Sequence, residues 1–194
     1  MIFSIHDLLL LCTLLVLWSC EPSPKPTEVA KKQVLEIPVV SNDVIVARLA
    51  PHLIAAPETL AEKEINFLLD HAMEQSWDVH FHPSGVLYNL KEEGEGRNPD
   101  WGDYVSAHYE GRNLQGKLFD SSRARGQAIK FYVGNMIAGW NEVLQNLLRP
   151  GGRGLFIIPA HLAYGKDGFG KYVAPDEHLI FDLELLEILP DPNQ

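Results

Sequence analysis

The stretch from Leu179 to Ile188 does most to limit what this chain can fold into. Leu179, Phe181, Leu183 and Leu185 alternate with Ile180, Asp182 and Glu184, which makes one face of an extended segment apolar and the other largely polar. A helix would scatter those residues around its circumference, whereas a strand puts them on one side. A strand with one apolar face needs a sheet, and the sheet needs an apolar layer to lie against. The same signal is carried by Val86–Leu90, Asp103–Glu110, Ile129–Val133 and Leu155–Ile158. Turn signals separate these runs: Glu93-Gly94-Glu95-Gly96, Asn98-Pro99, Gln115-Gly116 and Pro150-Gly151-Gly152. One short helical stretch, Asn141 to Leu148, interrupts them. The pattern predicts an α+β domain: a curved antiparallel β-sheet, a half-barrel, wrapped around one short α-helix. Asp182 is expected on the solvated face, and Phe131 in the core under Ile129.

Ahead of this domain, Pro57 to Gln75 predicts an N-terminal helix outside the sheet. Thr59 and Glu62 have the spacing of a capping box, and Leu60, Ile65, Leu68, Leu69, Ala72 and Met73 share one helical face. Such a face packs on its own domain and leaves a monomer; the alternative is a helix that pairs two copies. Residues 21 to 56 show no sustained periodicity, only two β-prone runs, Val34–Val40 and Val44–Leu49, which predict an extra strand or a partly ordered arm.

The first twenty residues read as an address. Leu8 to Leu17 is apolar but shorter than the roughly 20 residues that span a bilayer, which suits the core of a signal peptide. It ends in Leu-Trp-Ser-Cys, which resembles a bacterial lipobox, in which Cys20 becomes the new N-terminus and carries lipid. The segment before it has no Lys or Arg, and an ordinary secretory signal with an incidental cysteine is the alternative. Glu21-Pro-Ser-Pro-Lys-Pro follows as an extended tether. The resulting division is a signal peptide at 1–19, a tether or arm at 20–56, a helical segment at 57–84, the sheet domain at 85–190 and a tail at 191–194. An exported lipoprotein is expected. Glu21 in place of an aspartate after Cys20 favours the outer membrane, facing the periplasm or the cell surface.

Composition removes several function classes. A formal net charge of −10 without any Lys/Arg cluster makes a poor nucleic-acid binder. The two cysteines, Cys12 and Cys20, both precede the folded part, which excludes a disulfide framework or a cysteine zinc site there. His80 and His82 share a strand face without a third ligand in view and read as surface histidines rather than a metal pair. Gly165-Lys-Asp-Gly-Phe-Gly has the wrong glycine spacing for a phosphate loop. No Ser/His/Asp constellation is evident, and no cofactor or metal is expected.

A set of ordered motifs gives the chemistry: Ala107-His108-Tyr109-Glu110-Gly111, then Gly116-Lys117-Leu118-Phe119-Asp120-Ser121-Ser122, then Met136-Ile137-Ala138-Gly139-Trp140, then Ile158-Pro159, Ala163-Tyr164-Gly165, Pro175 and Leu179-Ile180-Phe181-Asp182. In order and spacing, from Gly85 to Leu189, they resemble the FKBP-type peptidyl-prolyl cis/trans isomerases. The resemblance implies an apolar pocket between sheet and helix, with Trp140 as its floor. Its wall would be Tyr109, Phe119, Asp120, Ile129, Met136, Ile137, Tyr164, Val173 and Phe181. Phe169 and Tyr172 would overhang the mouth.

The resemblance further implies isomerisation of X–Pro bonds without covalent catalysis, carried by Tyr109, Phe119, Asp120, Ile137, Trp140, Tyr164 and Phe181. Ile129, Met136, Phe169, Tyr172 and Val173 would contact the substrate. Partners implied are proline-containing polypeptides and macrolide inhibitors of this class. Ile129 stands where many relatives carry a phenylalanine. The approach from Gly134 to Trp140 is about two residues shorter than in the smallest members, Ala138 replaces a frequent proline, and Tyr172 a frequent aliphatic residue. These departures motivate the alternative, a non-enzymatic module that holds proline segments as a chaperone or adaptor.

Overall fold

The structure is a computed structural model and describes residues 36–193. The predicted signal segment, Cys20 and the Pro-rich tether lie outside the described residues.

Seven strands form one antiparallel sheet: β1 (His80–Phe81), β2 (Leu87–Glu92), β3 (Tyr104–Asn113), β4 (Leu118–Ser121), β5 (Ile129–Tyr132), β6 (Arg153–Ile158) and β7 (Leu179–Leu189). Their order is β1-β2-β6-β7-β3-β4, with β5 also paired to β3. β3 serves two partners along one edge, β5 at Tyr104–Ala107 and β4 at Glu110–Arg112. Its register with β7 shifts between Ser106 and Ala107, a bulge that bends the strand and helps curl the sheet.

The concave face wraps α3 (Ala138–Asn146), which buries Trp140, Val143 and Leu144 against Val105, Ala107, Phe156, Phe181 and Leu183. α3 starts three residues before the predicted stretch. Gly139 permits the approach, because a Cβ there would lie 2.4 Å from Ile158 Cγ2.

Two further helices, α1 (Asn42–Leu49) and α2 (Leu60–Glu74), cover the convex face. Ile45, Leu49, Leu68, Leu69 and Ala72 are fully buried with Leu87, Ile157 and Ile180 of the sheet. Each such large aliphatic side chain contributes roughly 1.5–3 kcal/mol. The capping box forms as the spacing predicts: Glu62 N–H donates to Thr59 Oγ1 at 3.2 Å, and Thr59 N–H donates to Glu62 Oε2 at 2.8 Å. Glu64 then ties α2 to the turn after β6, accepting from His161 N–H at 2.9 Å and lying 2.7 Å from His161 Nδ1.

This second layer corrects three expectations. Val44–Leu49 is helical, neither strand nor partly ordered arm, because Ile45 and Leu49 fall four apart on the face turned to α2, and their burial outweighs weak β propensity. Leu60, assigned to the buried face of α2, is 61% exposed at the helix start. Asp182 is not solvated but only 3% exposed. Arg153 donates to it twice at 2.8 Å and Lys91 once at 3.2 Å. Burial raises the Asp182 carboxyl, yet those two cations outweigh it and hold its pKa below the ordinary aspartate value.

β4 is not among the predicted strands, and β1 is the short extended piece that carries His80. His80 sits beside the Tyr88 ring and His82 bonds Ser84, so the two histidines do not converge. Phe131 lies in the inner core, tilted against Trp140.

Candidate active site

The hollow is built where the sheet curls over the start of α3. Trp140 closes its base at 1% exposure. Tyr109 from β3 meets the indole edge-on with centroids 5.0 Å apart, and Phe181 from β7 does the same at 5.3 Å. Phe119 from β4 stands edge-on to Phe181 at 5.8 Å. Such edge-to-face contacts suit the ring quadrupoles and fix the rings against one another. Gly111 makes room, since a Cβ there would lie 2.6 Å from Phe119 Cζ and 2.9 Å from Phe181 Cε1. The cavity of about 190 Å³ is lined by these rings with Asp120, Asn135, Met136, Ile137 and Tyr164.

One polar assembly borders the rings. The Tyr109 hydroxyl donates to Asp120, and Arg125 bonds Asp120 as well as the Tyr109 oxygen, the latter at 3.0 Å. Burial first, and then the Asp120 charge, push the Tyr109 phenol up to about 12. Burial works to raise Asp120 too, but the Tyr109 hydroxyl and the Arg125 guanidinium outweigh it and keep the carboxylate below its usual range. The pair is therefore a fixed donor and a fixed anion at neutral pH.

Two donors on residues that line the cavity remain without a partner among the described residues. The Ile137 N–H precedes α3, and among the described residues it has no hydrogen-bond partner; the Tyr164 hydroxyl has none either. Burial raises the Tyr164 phenol, with the Asp120 charge acting in the same direction, so it stays protonated. Asn141 sets the approach to Ile137: its Oδ1 accepts from Gly134 N–H at 2.9 Å and its Nδ2 donates to Met136 O at 3.3 Å.

The structure thus brings together Tyr109, Phe119, Asp120, Met136, Ile137, Trp140, Tyr164 and Phe181. Ile129 and Val173 pack in or against the inner core and do not line the cavity. Phe169 stacks on Tyr164 at 5.0 Å but is 52% exposed, at the rim. Tyr172, 53% exposed, borders a neighbouring cleft on the far side of Phe119. Asn135, Arg125 and Asn141 escaped the sequence reading. They lie in turns or on a helix, and no pattern marks their partners.

A half-barrel that closes on one helix around an aromatic-lined cavity defines a binding site for a small apolar ring with a polar flank. The family model for "FKBP-type peptidyl-prolyl cis-trans isomerase" matches residues 95–186. The probable FKBP-type isomerase FkpA of Neisseria meningitidis is 39% identical over 127 residues, covering 66% of this chain and 46% of that protein. The FKBP-type 22 kDa isomerase of Escherichia coli is 37% identical over 132 residues, covering 68% and 63%. The crystal structure of AtFKBP13 superposes with a TM-score of 0.54 at 31% identity, covering 58% of this chain and 99% of that one. The chain belongs to the FKBP-type peptidyl-prolyl cis-trans isomerase family. It spans about half to two thirds of the length of these curated relatives.

Proposed function

We propose that the chain isomerises X–Pro peptide bonds of exported polypeptides. The observation that carries this reading is the aromatic cavity with two uncommitted donors, Ile137 N–H and the Tyr164 hydroxyl, at its edge.

Rotation about a peptide bond meets a barrier of about 18–20 kcal/mol because it breaks amide resonance. The planar amide is the more dipolar form, and the twisted one has lost its charge separation and carries a pyramidal nitrogen. An apolar cavity therefore favours the twisted form, and every ~1.4 kcal/mol of that preference gives a tenfold rate. The prolyl ring rests on the Trp140 indole between Tyr109, Phe119 and Phe181. Ile137 N–H and Tyr164 hold substrate carbonyls and fix one side of the bond while the other turns. Asp120, paired with Arg125 and hydrogen-bonded by Tyr109, shapes the wall without accepting a proton. Met136, Phe169 and Tyr172 flank the chain on either side of the proline. Macrolide inhibitors of this class would occupy the same cavity.

The test is a protease-coupled assay with proline tetrapeptides on residues 21–194 and on the Trp140→Ala variant. Turnover above solvent that falls in the variant supports the reading. Solvent-level rates with retained peptide binding would favour a holding module instead.

For the segments outside the described residues, the reading is a signal peptide at 1–19, lipid on Cys20 and a tether that places the domain near a membrane, the outer one by the residue after Cys20. No helix among the described residues is long and apolar enough to cross a membrane. The described unit is read as a monomer whose helical layer and isomerase domain form one body. Fatty-acid analogue labelling, lost in Cys20→Ala, tests the anchor.

A further inference from the structure

Two further clefts continue from the active-site cavity: the first shares Phe119 with the cavity, and the second shares wall residues with the first. The first, about 260 Å³, lies on the far side of Phe119, between Asn113 and Lys117 of the β3–β4 turn and the loop through Lys171 and Tyr172. The second, about 350 Å³, shares Ala174 and Glu177 with the first and reaches Leu114 and Phe67 of α2. A peptide whose proline sits on Trp140 must leave the cavity on both sides, and Phe119 is a wall that cavity and first cleft have in common.

We infer that the two clefts bind the polypeptide flanking the target proline, an acidic side chain in the first and an apolar side chain in the second. This rests on the isomerase reading above.

Charge selects the first occupant. Lys117 and Lys171 are both exposed on this cleft, and neither has an ion pair among the described residues. Lys171 lies over the Tyr172 ring at 5.5 Å, which steadies it beside the opening. The one carboxylate in the cleft, Glu177, accepts from the neutral donors Asn113 Nδ2 and Ala174 N–H, both at 2.9 Å, so its charge offsets one of the two lysines. The positive charge that remains, on a protein of net charge −10, gives this cleft a local field of the opposite sign, which favours an acidic partner.

Shape selects the second. Phe67 is 49% exposed, yet its ring is held between His178, at 5.2 Å, and His71, at 5.9 Å. A rigid exposed aromatic loses little freedom on binding and offers a large apolar face. Leu114 and Pro175 extend that surface, while Asp176 and Glu177 on the same wall disfavour an acidic side chain here. The two clefts therefore prefer different residues.

The experiment compares a proline tetrapeptide with the same peptide extended, on either side, by an acidic residue followed by an aromatic one. A third set carries lysine in place of the acid. On the full chain, an acidic-aromatic extension on one side raises kcat/KM roughly tenfold, and the lysine version gives less. Lys117→Glu with Lys171→Glu reverses the acid-over-lysine preference, and Phe67→Ser reduces the gain, while both variants turn over the tetrapeptide as the wild type does. If the wild type handles all the peptides alike, the extended track is overturned and the isomerase reading stands. If the tetrapeptide itself is not turned over, the isomerase reading falls and the track with it.

Discussion

Gly111→Ala puts the geometry of the cavity to a severe test, because it adds one methyl and removes nothing. Gly111 is a strand residue in β3, paired with Asp120 on one side and Phe181 on the other. Its backbone is open to alanine, and such a replacement at a compatible site stabilises by ~0.4–1 kcal/mol through the unfolded chain. Here the new Cβ would meet Phe119 Cζ at 2.6 Å and Phe181 Cε1 at 2.9 Å. Carbon atoms prefer about 3.5–4.0 Å, so something must move by roughly 1 Å. Phe181 is 2% exposed and locked against Trp140, whereas Phe119 is only partly buried. The Phe119 ring therefore swings outward and opens the wall. Overpacking of this kind costs ~1–3 kcal/mol, and a wall displaced by that much lowers kcat/KM on a proline tetrapeptide by roughly ten- to a hundredfold. The assay is a double-mutant cycle with Phe119→Ala, reading both thermal stability and kcat/KM. Removing the ring removes the closest contact and leaves only the one to Phe181 Cε1 at 2.9 Å, so Gly111→Ala costs less in that background. Wild-type activity and stability in Gly111→Ala, or an equal penalty with and without Phe119, would refute the reasoning.

Asp182→Ala should destabilise by ~2–4 kcal/mol in urea unfolding at neutral pH, since it leaves Arg153 and Lys91 without their buried partner. The folded Asp182 carboxyl is depressed, so its contribution is complete above the unfolded value of about 4 and is lost as pH falls through the lower folded one. Wild type and variant therefore converge in acid, and parallel stability curves would count against the pairing. Leu69→Ala, in the layer between α2 and the sheet, should cost ~2–5 kcal/mol of global stability if that layer unfolds with the sheet; an unchanged main transition would mean that the helices melt separately. Tyr109→Phe keeps the ring and removes the hydroxyl that holds Asp120, and kcat/KM is expected to fall by roughly three- to tenfold with KM carrying most of it. A variant indistinguishable from wild type would show that Arg125 and the Ser121 N–H suffice to position the carboxylate.

The sheet was readable because alternation reports local geometry, and the five predicted strands appear within a few residues of their expected places. β7 shows where that reading stops. Its alternate residues Ile180 and Asp182 are as buried as Phe181, because Ile180 packs under α1 and α2 and Asp182 is closed in by Arg153 and Lys91. Neither cover leaves a trace in β7 itself. Arg153 is 29 residues from Asp182 and meets it only through strand pairing. α1 was misread because Val44, Ile45 and Val46 favour strands intrinsically, and only their docking on α2 decides for helix. In the site, the order of motifs marked the residues that line the cavity, but carry-over by position alone could not separate Ile129 and Val173, which face the core, from Met136 and Tyr164, which face the cavity. Arg125 and Asn141 act through loop geometry that has no periodic signature.

The electrostatics of the cavity bear on the kind of catalysis the proposed isomerase would use. Proton transfer at neutral pH calls for a group poised near 7. The groups bordering the cavity are moved away from that range: Tyr109 up to about 12 by burial and by Asp120, Tyr164 upward by burial, and Asp120 downward by Tyr109 and Arg125. Arg125 is raised in turn by its bonds to Tyr109 and Asp120. Each partner makes the other's protonation state harder to change, so the wall keeps one pattern of donors and charge throughout the physiological range. A site arranged in this way offers a bound amide a fixed shape and a fixed polarity. Selecting a twisted bond over a planar one requires both, and requires no exchange of a proton.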